Sequence, residues 1–388
     1  MNILYLAPEI ALPGSHGGAA HVEGTLSSLE NLGHRVIVVS RYDGNKQMFQ
    51  QTGAILHIRV PIINENLLRN LSYLFFTFII SFLVLIFYKI DVVYERGRMF
   101  GGMGIALGYL FQTKSIYELN EPYCEIPVLL GRWHKESLLF KIVKRWHDYI
   151  IRFASLITVT HESLIENGIA PKGKTVVVTY GVDSKMFSKK DIVDVRKRYK
   201  LNGKFVVLYT GSFAPWHSCR QIVRTAGKNK KIIFLLVGDG DGIDECKKLA
   251  KQLNAKDSVI FVGRVPFNEI PSYVNSADAC IALFDRNYPP FKRFSFFYSP
   301  MKVMEYFACG KPVIASNFGN LKKLIKNKKN GLLVREDSIN EIVDAINYLA
   351  RNKGMCIKMG KLNKKIAIGK YDWDLITNNI LKALRKVN

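Results

Sequence analysis

Short apolar segments recur along this chain, and each of them stops at a glycine or at a polar loop. Segments that are apolar on both faces are typical of strands buried in parallel sheets. Amphipathic stretches such as residues 20–32 separate them, so the pattern predicts alternating strands and helices in a doubly wound α/β fold. The predicted strands are 3–7, 35–40, 55–60, 92–95, 115–118, 156–160, 175–179, 205–211, 232–238, 259–263, 279–283, 313–315 and 332–334.

The length of 388 residues predicts more than one domain, because single cores stop growing well below this size. Residues 183–202 are charged and lack an apolar period, which is typical of a linker. We therefore predict two Rossmann-like domains, with a cleft between them, at residues 1–184 and 185–369. A final helix at about 370–388 is assigned to the first domain.

Residues 299–316 contain a loop, a short helix and a buried strand. Pro300 suits a helix start, residues 301–309 favour a helix, and Gly310 suits its left-handed end. A helix that begins at the edge of a parallel sheet presents free backbone N–H groups and the positive end of its dipole. Lys302 adds a cation, and Glu305 could accept hydrogen bonds from a ribose diol. The block therefore predicts a nucleoside-diphosphate site.

The first predicted loop, residues 8–18, carries Gly17 and Gly18, which would let its backbone approach a ligand closely. It has neither the G-x-G-x-x-G pattern of dinucleotide-binding folds nor the Gly-Lys-Ser/Thr of a phosphate-binding loop. A plain turn is the alternative interpretation.

The loops of the second half offer further polar groups at the ligand edge of a parallel sheet. Gly211, Ser212 and His217 follow one strand, with a surface turn as the alternative. Arg264 follows another strand, where it could meet a phosphate or a base, or simply face solvent. Residues 238–242 are acidic and glycine-rich, but no calcium-loop spacing follows, so we predict a turn.

Two segments of the first half suggest a membrane. Residues 71–88, within 67–90, hold no charge and reach the length of a spanning helix, yet predicted strands of one sheet flank them. A helix that lies in the interface or packs on the sheet is therefore favoured over a span. Residues 133–152 resemble a basic amphipathic helix on anionic lipid, with an ordinary surface helix as the alternative. Its predicted apolar stripe is Leu138, Leu139, Ile142, Val143, Trp146 and Ile150.

The formal net charge of +24 favours phosphate-rich partners without choosing among nucleic acid, anionic lipid and nucleotide. No nucleic-acid-binding motif accompanies the charge, so we expect no nucleic acid partner. The six cysteines are scattered, which suggests reduced thiols, and the first residues lead into a strand without the basic start of a signal peptide. No metal-ligand spacing and no Gly-x-Ser-x-Gly elbow is present, so we expect neither a metal cofactor nor a serine hydrolase.

Taken in order along nearly the whole chain, these motifs resemble the retaining nucleotide-sugar glycosyltransferases of family 4, which have the GT-B fold. The matching residues are Gly17-Gly18, Tyr94-Glu-Arg, Tyr117-Glu-Leu-Asn-Glu-Pro, Thr158-Val-Thr, Gly181-Val-Asp with Phe187, Tyr209-Thr-Gly-Ser-Phe, Val262-Gly-Arg-Val-Pro, Ala277-Asp278 and the Ser-Pro-x-Lys-x-x-Glu-Tyr block that starts at Ser299.

The resemblance implies roles for these residues. Glu305 matches the second acid of the family's E-x7-E motif, which holds the donor ribose. The donor-binding set implied for this chain is Gly17, Gly18, Gly211, Ser212, His217, Arg264, Ser299, Pro300, Met301, Lys302, Val303 and Glu305. Asn120, Lys302 and Glu305 are the implied catalytic residues, and Arg96, Glu118 and Asn120 the implied acceptor-binding ones. Trp373 fits a last helix that returns to the first domain.

The chain also departs from the family pattern. Phe297 stands where the first acid of E-x7-E belongs, and Asn120 stands in place of a common histidine. Ser212 and His217 replace the arginine and lysine that often grip the diphosphate. Lys302, Arg264 or Arg293 could supply the missing positive charge.

The resemblance implies a metal-independent hexosyltransferase on the cytoplasmic face of the cell membrane. It would move a sugar, with retention of configuration, from a nucleotide-diphosphate sugar to a glycan or lipid-linked acceptor in cell-surface polysaccharide or glycolipid synthesis. Leaving-group charge would be stabilised by cations and backbone N–H groups. The alternative is a catalytically idle GT-B protein that binds nucleotide or glycan, suggested by Phe297, Ser212 and His217.

Overall fold

The structure, a computed structural model, describes residues 1–14, 16–44, 46–63, 66–188 and 193–387. It describes residues 66 and 67 by their backbone only. Parts of the predicted loop 8–18 and of the predicted linker 183–202 lie outside the described residues. The chain forms two compact units. Unit 1 contains Met1–Tyr180, Phe297–Ser299 and Trp373–Asn388, and unit 2 contains Gly181–Phe296 and Pro300–Asp372.

Unit 1 is built on an eight-stranded sheet in the order β3-β4-β2-β1-β5-β6-β7-β8. Its strands are β1 (Asn2–Ala11), β2 (Arg35–Arg41), β3 (Phe49–Thr52), β4 (Ile55–Val60), β5 (Val92–Arg96), β6 (Lys114–Leu119), β7 (Leu156–Val159) and β8 (Thr175–Val177). Its helices in this part of the chain are α1 (Gly17–Asn31), α2 (Asn66–Phe87), α3 (Met103–Leu110), α4 (Glu125–Leu129), α5 (Leu138–Phe153) and α6 (Ser163–Glu166).

Unit 2 is built on a six-stranded, wholly parallel sheet in the order β11-β10-β9-β12-β13-β14. Its strands are β9 (Phe205–Thr210), β10 (Ile232–Val237), β11 (Val259–Gly263), β12 (Ala279–Ala282), β13 (Val313–Ser316) and β14 (Gly331–Val334). Its helices are α7 (Ser184–Phe187), α8 (Val195–Arg198), α9 (Cys219–Lys228), α10 (Ile243–Gln252), α11 (Ile270–Ser276), α12 (Pro289–Phe294), α13 (Met301–Ala308), α14 (Gly319–Leu324), α15 (Ile339–Arg351) and α16 (Lys353–Lys370).

The two sheets confirm the predicted α/β class with parallel strands. One strand was missed: β3 pairs antiparallel with β4 at the edge of the unit 1 sheet. Its residues, Phe-Gln-Gln-Thr, have little of the apolar character by which the other strands were found.

The last helix, α17 (Trp373–Lys386), belongs to unit 1 although it follows unit 2 in the chain. It packs on α1, where the Ser28 hydroxyl donates a hydrogen bond of 3.1 Å to the Trp373 carbonyl. Gly24 makes this close approach possible, because a Cβ atom at that position would lie 2.2 Å from Trp373 Nε1.

Two predicted segments need correction. The first loop is shorter than residues 8–18, because β1 continues to Ala11, which pairs with Arg41 after a register shift. The predicted helix over 133–152 begins only at Leu138, and its predicted apolar stripe is covered along one edge and open along the other. Val143 and Ile150 are buried, whereas Leu138, Leu139 and Ile142 are exposed.

Each sheet has a point where the strand order reverses, and ligands of open α/β sheets bind at the carboxyl ends of the strands there. In unit 2 the reversal lies between β9 and β12. In unit 1 it lies between β1 and β5. These two places locate the candidate sites.

Candidate active site

The candidate site of unit 2 lies where the β9–β12 reversal meets the start of α13. Tyr306 ties the helix to the sheet, because its hydroxyl lies 2.8 Å from the Thr210 N–H, from which it accepts a hydrogen bond, and 3.0 Å from Thr210 Oγ1. A helix that precedes a parallel strand runs antiparallel to it, so α13 begins at the carboxyl edge of the sheet. Its first N–H groups and its positive dipole end therefore face the ligand side.

Lys302, in the first turn of α13, points back over the strand end. Its Nζ lies 4.2 Å from the centroid of the Tyr209 ring, near the end of β9, and 5.5 Å from that of Phe284, which follows β12. The Nζ atom is buried and has no hydrogen-bond partner among the described residues. Burial lowers the pKa of Lys302 to about 8, partly offset by Cys219 and Glu305. The site thus holds a cation whose hydrogen-bonding capacity is unused.

Glu305, one turn further along α13, is 8% exposed, and no hydrogen bond from another described residue reaches its carboxylate. Burial raises the pKa of its carboxyl to about 7, and the charge of Lys302 acts in the opposite direction. A carboxylate that is desolvated and unsatisfied is suited to accept hydrogen bonds from a ligand.

The loop after β9 approaches Lys302 through a glycine. Gly211 has a φ of +133°, and a Cβ atom there would lie 2.6 Å from Lys302 Nζ. A Cβ atom at Gly238, in the neighbouring loop, would lie 1.9 Å from the Gly211 carbonyl oxygen. Both loops therefore need glycine for their close packing.

Ser212 and His217 hold this loop in shape. The Ser212 carbonyl accepts hydrogen bonds from the Tyr209 hydroxyl, at 2.5 Å, and from His217 Nδ1, at 2.6 Å. Burial, together with the charge of Lys302, lowers the pKa of His217 well below its usual value. A neutral His217 supplies no positive charge, so Lys302 is the cation of this group.

The other donor-binding predictions fall at separate places. Arg264 is exposed after β11, with Nε 3.5 Å from Asp239 Oδ2. Pro300 precedes α13, and its carbonyl accepts a hydrogen bond of 2.8 Å from the Val303 N–H. Met301 is half-buried and Val303 is buried.

Gly17, Gly18 and Ser299 belong to unit 1. The two glycines form the start of α1, where His16 Nδ1 accepts a hydrogen bond of 3.2 Å from the Ala19 N–H. The Ser299 hydroxyl oxygen accepts a hydrogen bond of 2.8 Å from the Tyr180 N–H. Gly17 and Gly18 therefore lie in the first turn of a helix, whereas Ser299 does not.

A buried polar cluster occupies the ligand edge of the unit 1 sheet. Glu118 is its centre: Oε1 lies 2.8 Å from Arg96 Nη1 and 2.7 Å from Asn120 Nδ2, whereas Oε2 lies 2.9 Å from His21 Nε2 and 3.3 Å from the Tyr94 hydroxyl. The three predicted acceptor-binding residues, Arg96, Glu118 and Asn120, are therefore in direct contact.

The charge state of this cluster follows from its contacts. Burial opposes ionisation of Glu118, but the charged and hydrogen-bonding partners around it lower the pKa of Glu118 to about 2. Burial lowers the pKa of His21, so Nε2 carries the proton donated to Glu118. Nδ1 of the same ring then has a free lone pair, and it is buried without a partner among the described residues.

The motifs did not identify His21 or Tyr180. The Tyr180 hydroxyl donates a short hydrogen bond to Asn120 Oδ1, and its ring lies 4.0 Å from that of His21. Tyr180 directly precedes the Gly181-Val-Asp motif, and His21 follows Gly17-Gly18 on α1. Their proximity to those motifs was the only available sequence signal.

Phe297, which replaces the first acid of E-x7-E, is fully buried within unit 1. The next residue contacts a carboxylate instead, because the Tyr298 hydroxyl donates a hydrogen bond of 3.0 Å to Glu121 Oε2. Burial raises the pKa of Glu121. Unit 1 therefore holds an acid beside this segment that the motif comparison did not assign.

The described residues contain no group of three or more His, Cys, Asp or Glu side chains arranged to hold a metal ion. The independence from a metal stays a prediction.

Comparison with known proteins relates the chain to a family. Residues 191–366 match the model of glycosyl transferases group 1. This match covers most of the second half of the chain. An uncharacterized glycosyltransferase of Methanocaldococcus jannaschii is 23% identical over 384 residues, covering 99% of this chain and 98% of the relative. A GDP-mannose-dependent alpha-(1-6)-phosphatidylinositol monomannoside mannosyltransferase of Mycobacterium tuberculosis is 24% identical and covers 61% of each chain.

Solved structures of similar proteins have the same fold. Sucrose-phosphate synthase of Thermosynechococcus elongatus gives a TM-score of 0.80 at 19% identity, covering 99% of this chain and 98% of that one. HepE of Anabaena, solved in complex with UDP-glucose, gives 0.74 at 18% identity, covering 99% of each chain. These likenesses confirm the predicted GT-B fold.

Proposed function

We propose that this glycosyltransferase takes its sugar from a nucleotide-diphosphate donor bound on unit 2. The observation that carries the proposal is the presence of two side chains on α13: the buried ammonium of Lys302, which has no hydrogen-bond partner among the described residues, and the mostly buried carboxyl of Glu305. They stand at the reversal point of a group 1 glycosyl transferase domain. The UDP-glucose complex of the similar protein HepE supports a donor of this class.

The roles follow from the chemistry of the donor. Departure of a nucleoside diphosphate develops negative charge on its phosphate oxygens. Lys302 and the first N–H groups of α13 would stabilise that charge, and Glu305 would accept hydrogen bonds from the ribose hydroxyls. Charge compensation of this kind supports a metal-independent reaction.

The acceptor is proposed to be a glycan or a lipid-linked glycan in cell-surface polysaccharide or glycolipid synthesis. Arg96 and Asn120 would contact it, with Glu118 fixing the orientation of both side chains. The name of the mycobacterial relative, which acts on a phosphatidylinositol mannoside, supports a lipid-linked acceptor. Retention of anomeric configuration, and transfer of a hexose, belong to the same proposal.

A panel of nucleotide sugars tests the proposal, with release of nucleoside diphosphate as the readout and membrane lipid extract as the acceptor source. We expect release with one donor, persistence of activity in excess chelator, and a product whose anomeric coupling constant matches that of the donor. Loss of activity in chelator would refute metal independence. An inverted coupling constant would refute retention.

A matched pair of variants tests the ribose role of Glu305, and turnover separates an enzyme from an idle binding module. Glu305→Gln should weaken donor binding, whereas Glu245→Gln, an exposed acid of unit 2 paired with Arg220, should leave it unchanged. Tight binding of nucleoside diphosphate by the parent protein, without turnover of any donor, would favour the idle module.

A further inference from the structure

The helix α2 has its polar side chains turned inward and its apolar side chains turned outward. Its segment Leu68–Phe87 is long and apolar enough to cross a membrane, with a mean hydropathy of 2.2, but only 28% of it is buried. The outward residues are Leu68, Leu71, Phe75, Phe78, Phe82, Leu83, Ile86 and Phe87, and each is more than a third exposed. This distribution is opposite to that of an ordinary surface helix.

Polar contacts fix the inner face of α2 to the sheet. The Tyr73 hydroxyl lies 3.5 Å from Glu95 Oε1, and the Arg98 guanidinium stacks 4.1 Å from the centroid of the Tyr73 ring. Arg98 Nη2 also donates a hydrogen bond of 2.8 Å to Asn70 Oδ1. Thr77 and Ser81 are fully buried on the same side.

Apolar packing completes this attachment. Val84 is buried in a cluster with residues of β1, β2, β4 and β5, and Phe76 and Ile80 pack against that cluster. A spanning helix would have to leave the sheet and expose the polar inner face to lipid, where unsatisfied groups are costly. The packing therefore keeps α2 on the surface of unit 1.

The exposed apolar face continues onto two neighbouring helices. The Phe82 ring contacts Phe111, just after α3, at 6.0 Å between centroids. Tyr109 of α3 stacks on Phe153 of α5 at 4.5 Å, and Tyr149 stacks on Phe153 at 6.0 Å. We name the outward side chains of α2, the residues 109–111 and the exposed Leu138, Leu139, Ile142 and Tyr149 of α5 the apolar platform.

The charges around the apolar platform are almost all positive. Helices α2, α3 and α5 contain the cations Arg69, Lys141, Lys144, Arg145 and Arg152, and Asp148 is their single acid. Lys144 pairs with Asp148, and Lys141 with Glu136. Arg145 and Arg152 have no ion-pair partner among the described residues, which leaves them available to an anionic surface.

We propose that the apolar platform docks unit 1 onto an anionic lipid bilayer, with α2 lying in the plane of the interface. The outward side chains of α2 would enter the boundary between headgroups and acyl chains, and Arg145 and Arg152 would contact lipid phosphates. The cytoplasmic leaflet carries the negative surface potential that this charge pattern requires. The inference does not depend on the proposed reaction.

Flotation with phosphatidylcholine vesicles, with and without phosphatidylglycerol, tests the docking. We expect the protein to float with the phosphatidylglycerol vesicles. The double variant Phe78→Glu/Phe82→Glu should lower partitioning by about 10²-fold, because two exposed aromatic side chains lose their burial in lipid. Phe49→Glu, which alters an exposed phenylalanine of β3 away from the apolar platform, should bind like the parent.

A charge variant and a depth measurement sharpen the test. Arg145→Gln/Arg152→Gln should remove the preference for phosphatidylglycerol. Single tryptophans introduced by Phe75→Trp, Phe82→Trp and Ile86→Trp should be quenched by brominated lipids at one common depth, measured as the increase over the parent protein. A spanning helix would separate residues 75 and 86 by about 16 Å along the bilayer normal.

Several outcomes would overturn the proposal. These are absence of flotation, undiminished flotation of Phe78→Glu/Phe82→Glu, and tryptophan depths that change steadily along α2. A lipid-free dimer that dissociates in the glutamate variant would assign the apolar platform to a second copy of the chain instead. Circular dichroism melting curves of all variants check that they are folded, and donor turnover is not needed for any arm.

Discussion

The ammonium group of Lys302 lies 4.2 Å from the centre of the Tyr209 ring, and no hydrogen-bond acceptor among the described residues reaches it. The aromatic face stabilises the cation without occupying its three N–H donors. A ligand phosphate can therefore take these donors without displacing a protein partner. This relationship makes Lys302 the most informative position in unit 2.

Replacement of Lys302 by methionine should reduce kcat/KM for the donor by about 10²- to 10³-fold, the usual effect of removing one group that stabilises transition-state charge. Lys302→Arg should recover part of the loss, because it restores the charge. Steady-state kinetics with the donor found by the panel would measure both. Lys247→Met, at an exposed lysine of unit 2, is the control, and equal losses in the two methionine variants would contradict the role.

The pH dependence of kcat/KM should be bell-shaped. Glu305 must be ionised to accept hydrogen bonds from ribose, and its pKa is about 7, so activity should rise with pH through that value. Lys302 must be protonated, and its pKa is about 8, so activity should fall above that value. The two apparent pKa values of this profile belong to the pair and not to either residue alone, because the charges of Glu305 and Lys302 interact.

Glu305→Gln identifies the acid limb of this profile. The variant should have lower kcat/KM at every pH and no rise through about 7, because the amide does not titrate. Retention of the rise in Glu305→Gln would assign that limb to another group.

Removal of the Glu118 charge should destabilise unit 1. Glu118→Gln leaves the buried Arg96 guanidinium without its counter-charge, at a cost of about 3 kcal/mol in the free energy of unfolding. Urea unfolding followed by tryptophan fluorescence in a Trp216→Phe background would report on unit 1, since the other three tryptophans belong to it. Glu136→Gln, at an exposed acid paired with Lys141, should show no measurable change.

The direction in which pH changes the stabilisation by Glu118 follows from the pKa values of this carboxyl in the folded and the unfolded chain. The folded value of about 2 lies below the ordinary 4.5, so the stabilisation is complete above about 4.5 and is lost as the pH falls toward 2. The parent and Glu118→Gln should therefore converge in stability as the solution is acidified. A constant difference between pH 7 and pH 3 would contradict the assignment.

A side chain at position 24 should disturb the contact between α1 and α17. A Cβ atom there would lie 2.2 Å from Trp373 Nε1, so Gly24→Val should lower the free energy of unfolding by about 1–3 kcal/mol through overpacking. The same urea assay would measure it. Gly173→Val is the control, because nothing lies within 4 Å of a Cβ atom at that position, and an equal loss there would point to a general effect of valine.

Sequence patterns predicted most of the fold because its strands are short, buried and apolar. Wherever that signal was weak the prediction failed, as at β3, where Gln50 and Gln51 break the apolar run. The partial burial of the stripe on 133–152 was not predicted, because helical periodicity does not say which part of a wide apolar arc is covered by neighbouring elements.

The candidate site was predictable only in part. Lys302, Glu305 and Gly211 were found because each lies in a local motif. Tyr209 and Phe284 come together only through the reversal of strand order between β9 and β12, which no local pattern records. The contacts of His21 and Tyr180 with the Glu118 cluster likewise depend on tertiary packing.

The inward-facing Tyr73, Thr77 and Ser81 make the topology of α2 a property of the folded domain and not of the segment itself. In a host protein, the segment Leu68–Phe87 alone would have both the length and the hydropathy of a membrane anchor. In its own chain the same stretch is retained by Glu95 and Arg98, which follow it in sequence. The residues that keep this segment from inserting into a membrane therefore follow it in the sequence.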